Sequence, residues 1–233
     1  MGLLLLLGSV VLTVLAVGPR YTTGEGVLMP LSMASKREIV NKHNQLRRSV
    51  QPTASNMQRM AWNTVAALNA AKWAKKCDYD NHSPLAERKL STCECGENIF
   101  WATFPYTMSY AIQDWYDEEK DFEYGIGEAT GGVITHYTQI VWAKSSKIGC
   151  AMAQCDDRTV LVCHYCVKGN FGSLATPYLS GTPCSECPTK CDKGLCTNPC
   201  LYVDEWTNCA DFKSSCDSDP VTKSNCGATC NCT

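Results

Sequence analysis

Charge of either sign is in short supply as an organising force in this sequence. Its 21 basic and 23 acidic side chains leave a formal charge of -2, and no segment gathers lysine and arginine into a run. That balance offers no electrostatic reason to expect nucleic acid or an anionic membrane as partner. Histidine is scarce too, with four in 233 residues. The pattern HExxH never occurs, so no helix presents two zinc-ligating imidazoles on one face. GxSxG is equally missing, which removes the strained serine elbow of an α/β hydrolase. Beyond residue 17 no apolar run approaches the roughly 20 residues of a membrane-spanning helix.

Cysteine, by contrast, is abundant. Seventeen cysteines in 233 residues suit an oxidising route and a secreted, extracellular protein held by disulfides. The one long apolar block, residues 3–17, is short for a membrane span and reads as a signal peptide. Cleavage is expected after Ala16, giving a signal peptide over residues 1–16 and an N-terminal extension over 17–35.

Cysteine usage also divides the chain. Up to residue 172 the cysteines are interspersed with Trp, Ile, Val, Leu and Ala, enough apolar material for one core. From Cys184 to Cys232 cysteines are dense and large aliphatics few, so ordering entropy must be offset by cross-links at roughly 2 to 4 kcal/mol each. The stretch GNFGSLATPYLSGTPC between them suits an extended connection. A domain over residues 36–181, a hinge over 182–199 and a terminal cysteine-rich domain over 200–233 are expected.

In the first domain, Ser35 and Glu38 have the spacing of a capping box, and a helix is expected over residues 36–50. Asn63 can cap a second helix over TVAALNAAKWAKK. A third is expected over MSYAIQDWYDEEKDF, with Ile112, Trp115, Tyr116 and Glu119 on one face. KIGCAMAQC and TVLVCHYC read as paired strands, which makes the class α+β, with helices covering a small antiparallel sheet.

CGENIFWAT, THYTQIVW, KIGCAMAQC and VCHYCVKGN, in that order, resemble the successive motifs of the CAP superfamily. CPTKCDKGLCTNPC and the six cysteines after it resemble the hinge and terminal domain of the cysteine-rich secretory proteins (CRISPs) within it. The resemblance spans residues 36–233 and implies a CAP-type α-β-α sandwich, a disulfide-stapled hinge and a small, mostly helical domain similar to channel toxins. Two positions depart from the family pattern: Thr135 stands where glycine is usual, and Val167 where proline is usual.

The same resemblance implies disulfides Cys77–Cys155, Cys95–Cys166 and Cys150–Cys163 in the large domain and Cys184–Cys191 and Cys187–Cys196 in the hinge. It implies Cys200–Cys232, Cys209–Cys226 and Cys216–Cys230 in the tail. Cys93 is the seventeenth cysteine, a free thiol that is either buried or open to an intermolecular disulfide. The resemblance also places His82, Glu97, Glu118 and His136 along one cleft. Such a set can hold zinc through His82 and His136, or serve purely as a hydrogen-bonded tie, and no cofactor is required. His43, on an apolar helical stripe, and His164, between cysteines on a strand, are expected to be packing residues. Asn81 begins an Asn-His-Ser sequon and Asn231 an Asn-Cys-Thr sequon, so Asn81 is a candidate glycosylation site.

In the tail, Tyr202, Trp206, Phe212 and Lys213 are candidate recognition residues, unless the aromatics form the module's own core. Its net acidity argues against plugging a cation pore directly. The expected function is that of a non-enzymatic interaction protein acting on an ion channel or cell-surface receptor, in reproductive fluid, venom or skin secretion. Sperm–egg binding or sperm attraction, a metal-dependent hydrolase using the cleft, and a sterol or lipid carrier are the alternatives.

Overall fold

The computed structural model describes residues 24–232; the expected signal peptide and residues 17–23 of the expected N-terminal extension lie outside the described residues. Strand β1 (Val27–Met29) leads to helix α1 (Met33–Arg48), and β2 (Ala61–Trp62) runs into α2 (Thr64–Ala74). Next come β3 (Cys95–Ala102), α3 (Met108–Tyr116), the short pair β4 (Phe122–Glu123) and β5 (Gly127–Glu128), and α4 (Thr135–Ile140). The long hairpin β6 (Lys147–Cys155) and β7 (Arg158–Cys166) follows, then the small pair β8 (Cys191–Asp192) and β9 (Leu195–Cys196). Helices α5 (Pro220–Asn225) and α6 (Gly227–Asn231) belong to the tail.

The main sheet has the order β1-β6-β7-β3, with β2 added parallel to β6. Because successive strand residues face opposite sides, the hairpin divides its side chains between two cores. Ile148, Leu161, Cys163 and Tyr165 pack with Ile39 and Leu46 of α1, Ile112 and Trp115 of α3, and Tyr137 and Ile140 of α4. Ala151, Ala153, Val160 and Val162 pack with Ala70, Trp73 and Ala74 of α2 on the other face. Burial on both faces is why these strands read as nearly continuous apolar runs. The result is the expected α-β-α sandwich. Gly149 is obligatory in it: a Cβ there would collide with the backbone of Asn63, Ala66 and Ala67, where the first turn of α2 lies directly on β6.

Helix ends differ from expectation in two places. The cap of α1 is Ser32, whose hydroxyl accepts from Ser35 N at 3.0 Å, one turn before the expected start. Glu38 is drawn away from any capping box because its carboxylate accepts from Ser109 N at 2.8 Å at the start of α3. α2 begins as expected, with Asn63 accepting from Ala66 N. The single helix expected over residues 108–122 instead ends at Tyr116, tightens into a 3₁₀ turn (Asp117–Asp121) and enters β4.

That break serves α4, a helix too short for periodicity to announce. Glu118, in the 3₁₀ turn, accepts from the backbone N–H of His136 and Tyr137 at its N-terminus. At its other end the buried Arg47 donates to the carbonyls of Gln58, Ile140, Trp142, Ala143 and Ser145. Five carbonyl dipoles thus stand in for the missing carboxylate, since a buried charge must be compensated.

The expected extended connection is instead fastened to the large domain. Ala143 N donates to Pro177 O, Ser55 N to Leu179 O and Gly181 N to Thr53 O. The hinge is held likewise: Cys196 N donates to Met57 O, Arg59 N to Cys196 O, and Leu195 is buried in the main core. Turn-forming residues dominate this stretch, so its attachment through backbone bonds leaves little signal in side-chain pattern.

Candidate functional site

Glu97 of β3 stands opposite His164 of β7 in the antiparallel register, so both side chains share a face. The carboxylate of Glu97 is buried and saturated. Its Oε1 accepts from His82 Nδ1 at 2.8 Å and Ser83 N at 2.8 Å, with Arg88 at 3.7 Å. Its Oε2 accepts from Ser83 Oγ at 2.7 Å and His164 Nε2 at 2.9 Å. Burial opposes its ionisation, yet the hydrogen bonds from His164, His82 and Ser83 outweigh it and hold the carboxyl well below the usual range.

The second acid accepts three bonds to the four of Glu97. Glu118 receives the two backbone N–H groups at the start of α4 and also His136 Nδ1 at 2.6 Å. The His136 ring stacks on Trp115, and Asn98, on the face of β3 opposite to Glu97, donates to His136 O at 3.1 Å. The four candidate residues therefore form two couples, His82–Glu97 and His136–Glu118. Among the described residues, no three of them bring ligand atoms within 4.8 Å of one another; Cys184, Cys187 and Cys196 do, and these are disulfide-bonded. The four do not assemble a closed metal cage. In both couples Nδ1 bonds the carboxylate, which leaves Nε2 of each ring as the nitrogen able to meet a metal, with the acid orienting it from behind. The His82 side chain is 56% exposed and reaches solvent.

His164 corrects the sequence reading: it is buried on a strand, but it is a direct partner of the site, and its Nδ1 has no hydrogen-bond partner. Only the strand register, which sets residue 164 opposite residue 97, reveals the connection. Ser83 and Arg88 were likewise without signal beyond the sequon. His43 is a packing residue as expected. Its Nδ1 donates to Ile39 O at 2.7 Å, so Nε2 must accept from Tyr165 OH at 2.9 Å, and burial lowers its pKa to about 4.

The structure contains the disulfides Cys77–Cys155, Cys95–Cys166, Cys150–Cys163, Cys184–Cys191, Cys187–Cys196, Cys200–Cys232, Cys209–Cys226 and Cys216–Cys230. Cys93 is free and buried beside Ala66 and Val167, with Val203 of the tail against the same cluster; burial raises its thiol pKa. Val167 thus fills a packed position, and Thr135 accepts from Asn170 Nδ2 through its carbonyl. Asn81 is exposed, its amide donating to Asp78, whereas Ser83 of the same sequon is buried.

In the tail the buried residues are Cys209, Cys216, Cys226, Thr222 and Gly227. Trp206 and Phe212 meet edge to face at 5.8 Å, Trp206 half-buried and Phe212 37% exposed. Tyr202 and Lys213 are exposed. Two of the acids have internal work: Asp219 caps α5, and Asp204 accepts from Thr229 N and Oγ1.

A family model described as "Cysteine-rich secretory protein family" matches residues 40–165, and one described as "Crisp" matches residues 184–233. The chain is similar to the crystal structure of NaASP2 with Zn2+, at 32% identity and a TM-score of 0.60 over 72% of this chain and 97% of that one. It is similar to Na-ASP-1 at 28% identity and a TM-score of 0.63, covering 77% of this chain and 52% of that one. Venom allergen-like protein 4 of Schistosoma mansoni matches at 29% identity and a TM-score of 0.54, over 67% of this chain and all of that one.

Proposed function

The chain belongs to the cysteine-rich secretory protein family, and from that premise we propose that it is a secreted, non-enzymatic interaction protein whose tail engages an ion channel or cell-surface receptor. The observation that carries this reading is the occupation of the site carboxylates by protein donors, complete for Glu97 and reaching three of about four acceptor positions on Glu118. A general base needs a lone pair free for the proton it takes; Glu97 has none, and the one acceptor position left on Glu118 is on the Oε1 that already holds the His136 ring. The tail supplies the complement: cross-linked, with Phe212 exposed next to Lys213 and held edge to face by the half-buried Trp206. Aromatic anchors fixed in advance lose little entropy on binding. Extracellular placement is supported by its cross-links, and among the described residues no helix is long and apolar enough to cross a membrane.

The test is current recording on sperm and excitable cells, for calcium and potassium conductances, with the full chain and its Phe212→Ala variant. Loss of the effect in the variant supports the tail; an effect that survives both Phe212→Ala and Trp206→Ala sinks the reading. A truncation for the same purpose belongs after residue 198, because ending near residue 181 would remove Leu195 from the main core.

A second reading, zinc held for regulation, rests on the free Nε2 atoms of His82 and His136 and on the zinc-containing relative. Calorimetric zinc titration of the full chain tests it, with His82→Gln and His136→Gln expected to abolish binding.

A further inference from the structure

Strand β1 closes one edge of the main sheet, and its three side chains are all exposed. Its pairing with β6 uses one side of its backbone; among the described residues no other strand or loop bonds the side facing away. α2 packs over β6 and β7, which leaves a shallow, open groove of about 500 Å³ between the helix and β1. Leu28, Val65, Leu68 and Ala71 line it, with Lys72 and Lys75 on its rim. Val65 is 52% and Leu68 60% exposed, on the outward face of a helix where polar residues are usual. The two lysines are not equivalent. Lys75 is paired with Glu25 at 2.6 Å, whereas Lys72 has no carboxylate within ion-pair distance among the described residues.

We propose that this groove binds an extended acidic peptide segment of a partner protein. The segment adds a strand to the free edge of β1, sets an aliphatic side chain among Leu28, Val65 and Leu68, and places a carboxylate on Lys72. Each requirement has its own physical source. Free backbone groups on the edge take main-chain hydrogen bonds from any extended chain. The aliphatic lining selects alternate side chains of that strand, and the unpaired ammonium selects the sign of charge. The site uses no residue of the tail, so it stands or falls independently of the channel reading.

The experiment is an NMR titration of the ¹⁵N-labelled full chain with the peptide acetyl-Glu-Val-Glu-Ile-Glu-Val-amide and with its counterpart bearing Lys in place of Glu. The acidic peptide should shift the amides of residues 27–29 and of the outward face of α2, and the basic one should not. Lys72→Glu should weaken binding about tenfold, and Leu68→Glu, at a solvent-facing position that folding tolerates, should abolish it. Absence of these shifts at millimolar peptide, equal binding of the two peptides, or an unchanged affinity in Lys72→Glu overturns the proposal. Shifts of the same amides with protein concentration alone would assign the edge to a second copy of the chain, and peptide displaced by dodecanoate would assign the groove to a lipid. Either result also overturns it.

Discussion

Residues 33–196 bury aliphatic and aromatic side chains on both faces of a sheet, whereas residues 200–232 bury little besides cystine, one threonine and one glycine. The first region can place polar groups deep inside, because its apolar burial carries the fold. Arg47, Asn98, Glu97 and the histidines 43 and 164 are all there. The second has no such reserve: none of its aromatics is fully buried, and Tyr202 and Phe212 are exposed. The proposed recognition surface and the catalytic-looking cleft therefore sit in different regions for a reason rooted in how each is stabilised.

The contrast is broken most sharply at Arg47. Replacing it by alanine strands five carbonyls and should cost the large domain about 3 to 5 kcal/mol, seen as a lower Tm, with the tail disulfides still mapped as in the parent. The converse change is Cys209→Ala with Cys226→Ala. Loss of this cross-link should destabilise the tail by roughly 2 to 4 kcal/mol, read as rapid hydrogen exchange confined to residues beyond 200, with the large domain unmoved.

Acidification should separate the regions by protonation alone, since all four histidines lie in the large domain. Burial lowers the pKa of His43 from 6.5 to about 4 in the folded state. Between those values the unfolded chain binds the proton and the folded one does not, so stability falls as pH falls. From pH 6.5 to 4.5 the loss should be about 2 to 3 kcal/mol, measured by urea unfolding of the large domain. Glu97 is shifted in the same direction but by hydrogen bonds from His164, His82 and Ser83 that outweigh its burial: its depressed pKa contributes stability that is lost only below pH 4.5, as the unfolded carboxylate protonates. The smallest effect is expected at Phe212, where alanine should alter unfolding by no more than about 0.5 kcal/mol while removing the channel effect. A large stability loss there would show that the aromatics are the tail's core after all.

The apolar runs of the β6–β7 hairpin and the Asn63 cap were legible because each is a local pattern with a local physical cause. So was the packing role of His43, which lies on the apolar stripe of α1. α4, β3's place beside β7 and the attachment of residues 175–196 were not. A six-residue helix capped from elsewhere by Glu118 and Arg47 has no periodicity of its own. Backbone hydrogen bonds that fasten the hinge depend on no particular side chain.

By itself, then, the sequence determined the α+β class, the oxidised, cross-linked character and the family, since composition and ordered motifs are properties of the chain read along its length. Only the tertiary structure decided that His164 joins Glu97, that the tetrad separates into two couples, and that Lys72 stands unpaired beside an open strand edge. Those facts are distances between residues far apart in the chain, and they exist only once strand register and helix packing have brought the residues together.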